Sequence, residues 1–207
     1  MTRVRVKICG VTTPADAAFV ADAGADAVGL NFYPGSPRFL SDELAARIVS
    51  GLPPLAVTVG VFVDTSSDAI TETARRLHLS VVQTYQPAPA ALPVAHIPAF
   101  RVSAAADLDA IRREVERVRP AAVLIDSFVA GEMGGTGHRA PWHLLAGFDP
   151  GVPVILAGGL TPDNVAEAVR VVRPWGVDVA SGVESAPGVK DRGKVAAFLA
   201  AVRAAGS

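Results

Sequence analysis

The sequence predicts an α/β protein folded as a single TIM (β/α)8 barrel, and three observations carry that prediction. Eight short runs rich in β-branched residues recur along 207 residues. Ala-rich amphipathic stretches with helix-start signals separate them. No GxGxxG follows the first run, and an open doubly wound sheet would normally use fewer strands. The length suits one barrel domain over residues 1–207, at the short end of the range for this architecture.

In chain order the strand candidates are 3–9 (RVRVKIC), 26–32 (DAVGLNF), 55–63 (LAVTVGVFV), 81–85 (VVQTY), 94–102 (VAHIPAFRV), 121–127 (AAVLIDS), 152–157 (VPVILA) and 176–181 (GVDVAS). Several are nearly continuous apolar runs, the pattern of parallel strands covered on both faces. Thr13-Pro14, Ser41-Asp42-Glu43, Ser66/Ser67, Ala106-Asp107 and Thr161-Pro162-Asp163 each mark the start of a helix. The stretch 191–205 forms the closing helix. One unit departs from this plan. Residues 86–93 read QPAPAALP, and Pro87, Pro89 and Pro93 predict that the fourth helix is shortened or lost.

Nineteen basic and 20 acidic side chains leave a net charge of −1. Such a chain has no long-range pull on nucleic acid or an anionic membrane, so any anionic ligand must be caught by a local site. The single cysteine, Cys9, excludes an internal disulfide framework and a thiolate zinc cluster. His78, His96, His138 and His143 show no metal spacing. The longest apolar stretches, such as 52–63, contain prolines and are too short to cross a bilayer. With no secretory leader pattern at its start, the chain reads as a cytoplasmic protein, a monomer or homodimer, whose partner is a small phosphorylated molecule.

Barrel active sites lie at the C-terminal ends of the strands. The first strand ends at Cys9-Gly10. A thiol there is either a small buried hydrophobe or a base or nucleophile. The second strand leads to Asn31 and a loop carrying Arg38, whose fork suits a carboxylate but can equally face solvent. The fourth ends at Gln83-Thr84-Tyr85. The sixth ends at Asp126, either a desolvated general acid or a loop-pinning cap. Gly158 and Gly159 follow the seventh strand, and Ser181 and Gly182 the eighth. They suit a phosphate cradle or ordinary tight turns. Asp178 sits in an apolar strand and needs a partner, protein or ligand. Lys7 points to the same region.

These residues fall in motifs that together resemble the phosphoribosylanthranilate isomerase family: KICG (7–10), SPR (36–38), VGVFV (59–63), LID (124–126), GGTG (134–137), LAGGL (156–160) with Pro162, Asn164 and Val165, and DVASGVE followed by PGVKD (178–191). The resemblance runs from residue 6 to about residue 198. It implies an Amadori rearrangement without cofactor or metal, with Cys9 as general base and Asp126 as general acid. It further implies Arg38 on the anthranilate carboxylate, the glycines after strands seven and eight on the phosphate, and Asp178 facing the substrate. Two segments depart from the family pattern. QTYQ (83–86) stands for a Q-L-H-G-like segment, with Tyr85 in place of histidine, and APW (140–142) retains only Trp142, with Pro141 expected to open a helix.

Two other readings stay open at this point. A related aminoaldose-phosphate isomerase, of the histidine pathway or with dual substrate use, would use a pair of aspartates, whereas the first strand here offers Cys9. A non-catalytic sugar-phosphate-binding barrel would account for the altered fourth segment. It would leave Cys9, Asp126, Arg38 and both glycine turns without a purpose.

Overall fold

The computed structural model describes residues 3–85, 92–126 and 142–206. Eight strands form a closed, all-parallel barrel in sequence order: β1 Arg5–Cys9, β2 Ala27–Asn31, β3 Val57–Phe62, β4 Val81–Thr84, β5 Ala95–Arg101, β6 Val123–Asp126, β7 Val154–Ala157 and β8 Gly176–Val179. Each of the eight candidate runs contains one strand, trimmed at its ends. Among the described residues seven helices lie around them: α1 Pro14–Asp22, α2 Asp42–Gly51, α3 Ser67–Arg76, α4 Ala105–Val118, α5 Trp142–Leu145, α6 Val165–Val172 and α7 Arg192–Ala205.

The start signals act as real caps. Thr13, Ser41 and Ser66 each accept a backbone N–H in the first turn of α1, α2 and α3. The Asp107 carboxylate accepts the amides of Ser103 and Ala104, so α4 begins at Ala105, one residue before the expected start. The sixth helix starts later than Thr161-Pro162-Asp163 implies. Asn164 accepts the Thr161 amide at 2.8 Å, folding 161–164 into a turn, and α6 begins at Val165. The proline-rich segment expected to lack a helix lies mostly outside the described residues, and residues 92–94 are not helical. GGTG, His138 and Pro141 also lie outside them.

Strand parity decides what faces the barrel axis. Val6 and Ile8, Val123 and Ile125, Leu156, and Val177 and Val179 point outward into the main core beneath the helices. The alternate residues therefore point inward. Leu124, Ile155, Ala157 and Ile97 form a small apolar cluster on one side of the interior. Lys7, Gln83 and Asp178 make the rest of the interior polar, and all three are buried. The same parity sends Cys9 and Asp126 inward at the C-terminal rim.

Two short elements follow β8. A 3-10 turn spans Ser181–Val183, and an antiparallel hairpin pairs β9 (Glu184–Ala186) with β10 (Val189–Lys190). Thr12 donates to the Gly188 carbonyl at 2.6 Å, fastening the hairpin over the end of β1. Among the described residues, no helix is long and apolar enough to cross a membrane.

Candidate active site

At the C-terminal end of the barrel a cavity of about 190 Å³ is lined by Cys9, Arg38, Tyr85, Asp126 and Asp178, together with Gly158, Gly159, Ser181 and Gly182. Larger cavities of about 580 Å³ and 530 Å³ lie elsewhere, beside α6 and at the opposite end of the barrel. Neither brings a thiol, a carboxylate and a glycine turn together. The rim pocket thus gathers every site residue expected from sequence except Lys7.

Lys7 lies deeper, outside the pocket lining, and the register gives it a partner within the protein. β1 and β8 align Lys7 with Asp178, and Lys7 Nζ donates to Asp178 Oδ1 at 2.9 Å. Both side chains are more than nine-tenths buried, so the ammonium is directed at the protein's own carboxylate. Burial pulls Lys7 down, but Asp178 and the Cys9 sulfur outweigh it and hold the ammonium above the ordinary lysine value.

Cys9 sits next inward-facing along β1, with Gly29 beside it on β2. A methyl group on Gly29 would stand 2.8 Å from Cys9 Sγ and 3.1 Å from Lys7 Cε. Only the absence of a side chain there lets both groups share the interior. Burial pushes the thiol up. The Lys7 ammonium pulls it down, Asp178 pushes it up again, and the net direction is above an ordinary cysteine. The thiolate is therefore formed against burial, with Lys7 as its main electrostatic support.

Asp126 ends β6 and is half-buried. Tyr85 follows β4. Burial, reinforced by Cys9, Asp178 and Asp126, pushes its phenol far above the ordinary range. It is a neutral donor at any working pH. Gln83, beneath it, has no partner for either amide atom among the described residues.

The two glycine turns pack backbone to backbone. Gly158 and Gly159 both have positive φ, at 94° and 62°. Asn164 Nδ2 donates to the Gly159 carbonyl at 2.9 Å and pins that turn. A side chain on Gly182 would lie 1.9 Å from the Leu160 carbonyl oxygen. The amides of Gly159, Ser181 and Gly182 donate to no protein acceptor among the described residues. Backbone N–H groups left without a protein acceptor beside a pocket are what an oxyanion needs.

Arg38 crosses the end of β1. Its Cδ occupies the space where a side chain on Gly10 would stand, 2.3 Å away, and Gly10 itself has φ of 69°. The fork that the sequence matched to a carboxylate finds one within the protein: Glu184, at 2.8 Å from Nε and 2.6 Å from Nη2. Glu184, Lys190 and Gly29 were not singled out from sequence. The first two lie in the SGVE and GVKD segments, but in strands too short to show an inward face. No group of three or more potential metal ligands occurs among the described residues.

Comparison with known proteins shows which family the sequence and fold resemble. A family model described as N-(5'phosphoribosyl)anthranilate (PRA) isomerase matches residues 6–201. The chain is 48% identical over 205 residues to N-(5'-phosphoribosyl)anthranilate isomerase of Myxococcus xanthus, covering 97% of this chain and 96% of that one. Identity is 45% with the Geobacter metallireducens isomerase, over 97% of this chain and 100% of the relative. The phosphoribosyl anthranilate isomerase of Thermotoga maritima superposes with a TM-score of 0.88 at 39% identity, covering 97% and 99% of the two chains. A phosphoribosyl anthranilate isomerase solved in complex with reduced 1-(o-carboxyphenylamino)-1-deoxyribulose 5-phosphate superposes at 0.85, with 38% identity and the same coverage. Sequence, fold and relatives agree that the chain belongs to the N-(5'-phosphoribosyl)anthranilate isomerase family.

Proposed function

We propose that Cys9 and Asp126 are the base and acid with which this chain carries out the family's reaction. That reaction isomerises N-(5-phosphoribosyl)anthranilate to 1-(2-carboxyphenylamino)-1-deoxyribulose 5-phosphate in tryptophan biosynthesis. The single observation that carries the assignment is one pocket lined at once by the Cys9 thiol, the Asp126 carboxyl, Arg38 and both glycine turns.

Asp126 protonates the ribose ring oxygen as the bond from that oxygen to C1 breaks, leaving an iminium at C1. The cationic nitrogen acidifies the C2 proton, and the Cys9 thiolate removes it. The resulting enolamine becomes the ketone by gaining a proton at C1 and losing the C2 hydroxyl proton. Arg38 takes the anthranilate carboxylate, and Gly158, Gly159, Ser181 and Gly182 take the phosphate. Asp178 and Lys7 set the charge around Cys9. All these groups come from one chain, so the reading needs no second copy. It fits a single-domain cytoplasmic enzyme.

The test is turnover of freshly generated phosphoribosylanthranilate, followed by loss of its fluorescence. Wild-type turnover should fall by about 10² to 10⁴ in both Cys9→Ser and Asp126→Asn. Undiminished turnover in either variant removes that residue from its role.

A further inference from the structure

The β9–β10 hairpin carries an acid and a base that the steps above do not use. Both are buried, with the side chains of Glu184 and Lys190 only 4% and 0% exposed. Lys190 Nζ donates to Glu184 Oε1 at 2.7 Å, to the Cys9 carbonyl at 2.7 Å and to the Ala180 carbonyl at 3.3 Å. One ammonium thus ties the ends of β1 and β8 to the carboxylate that grips Arg38. Lys194 Nζ donates to the Glu184 carbonyl at 2.8 Å and fixes the backbone behind it.

The grip on Arg38 is side-on. A guanidinium has five N–H donors. Glu184 uses Nε–H and one hydrogen of Nη2. The second hydrogen of Nη2 and one hydrogen of Nη1 form the end-on edge of the fork, the other Nη1 hydrogen points back toward Cδ, and no acceptor among the described residues meets any of the three. A planar group fixed along one edge presents its other edge in a fixed direction. Arg38 lines the pocket, and its stem is already seated over Gly10. Two cations around one carboxylate also leave the triad with one net positive charge, complementary to a single carboxylate ligand.

We propose that Glu184 is a positioning residue for the substrate: backed by Lys190, it locks the Arg38 guanidinium so that the end-on edge meets the anthranilate carboxylate. This rests on the reading of Arg38 given above, and the experiment separates the two.

Steady-state constants are measured for Glu184→Gln, Arg38→Met and the double variant. Two substrates are used: phosphoribosylanthranilate and the corresponding aniline compound, which lacks the carboxylate. Glu184→Gln should raise KM for the carboxylate substrate about tenfold, the equivalent of about 1.4 kcal/mol, with little change in kcat. Its constants for the aniline compound should match those of the wild type. Arg38→Met should show the same selectivity with a larger effect, and the double variant should be no worse than Arg38→Met alone. An equal loss on both substrates in Glu184→Gln, or an additive double variant, overturns the role of Glu184 while leaving Arg38 in place. Equal loss on both substrates in Arg38→Met overturns the reading of Arg38, and the proposal with it. If Glu184→Gln does not fold, Glu184→Asp keeps a charge for Lys190 but is one methylene too short for the side-on pair. It should show the same substrate contrast.

Discussion

Lys7 Nζ stands 2.9 Å from Asp178 Oδ1, one inward-facing position below Cys9 on the same strand. The Cys9 thiol therefore rests on a buried ion pair whose two members act on it with opposite sign. Lys7 draws the thiol toward ionisation and Asp178 opposes it.

Cys9 is the chain's only cysteine, so alkylation by iodoacetamide reports on it alone. Its reaction rate should rise with pH to a midpoint above that of a free thiol. Asp178→Asn should lower that midpoint, and Lys7→Met should raise it further. Lys7→Met also leaves a buried carboxylate uncompensated and should cost about 3–5 kcal/mol in urea unfolding. A midpoint that moves in neither variant would separate the ion pair from the chemistry of the thiol.

The contact between Gly182 and Leu160 joins the two glycine turns. Gly182→Ala forces the turn after β8 away from a backbone carbonyl, and backbone cannot step aside as a flexible side chain does. The expected cost is about 1–3 kcal/mol in urea unfolding, together with weaker inhibition by inorganic phosphate. Gly51→Ala is the control. It sits at the end of α2 with nothing within 4 Å, and should be neutral or stabilising by up to about 1 kcal/mol. Unchanged phosphate inhibition in Gly182→Ala would argue against the paired turns as the anion site.

Acid should weaken the fold through Glu184. Burial pushes its carboxyl up, but the hydrogen bonds from Arg38 and Lys190 outweigh that and hold it below the ordinary value of 4.5. A group depressed in the folded state stabilises above its unfolded pKa, and that contribution is lost as pH falls through the lower folded value. The thermal midpoint of the wild type should therefore drop more steeply than that of Glu184→Gln between neutral pH and about pH 3. Parallel curves would mean that Glu184 is not held ionised by its two cations.

Much of this was legible in the sequence, for reasons that can be traced. The eight strands are covered on both faces, so their apolar runs stand out. Thr13, Ser41 and Ser66 are caps whose chemistry is local. Cys9, Asp126 and Asp178 announce themselves as polar residues at the ends of apolar strands, and parity carries them inward. What was hidden depends on distant pairing. Nothing near Lys7 says that its partner is Asp178 rather than a ligand, since the register of β1 on β8 decides it. Glu184 and Lys190 belong to strands of three and two residues, too short for any periodicity. The start of α6 moved because the Asn164 side chain outcompetes the Thr-Pro signal by capturing the Thr161 amide.

The bonds that shape the pocket join the two extremes of the chain. Lys7 and Asp178 are separated by 171 positions, Arg38 and Glu184 by 146, and Cys9 and Lys190 by 181. Contacts over such separations form only after the cost of closing very long loops has been met. A half-built barrel, with its helices and early strands in place, has a thiol and an ammonium on β1 but no Asp178 carboxylate to pair with that ammonium, and an arginine with nothing to aim it. The surroundings of Cys9 and Arg38 are completed only at the moment the last strand docks on the first. Under the acid–base roles proposed for Cys9 and Asp126, proton transfer is thereby confined to molecules that have finished folding.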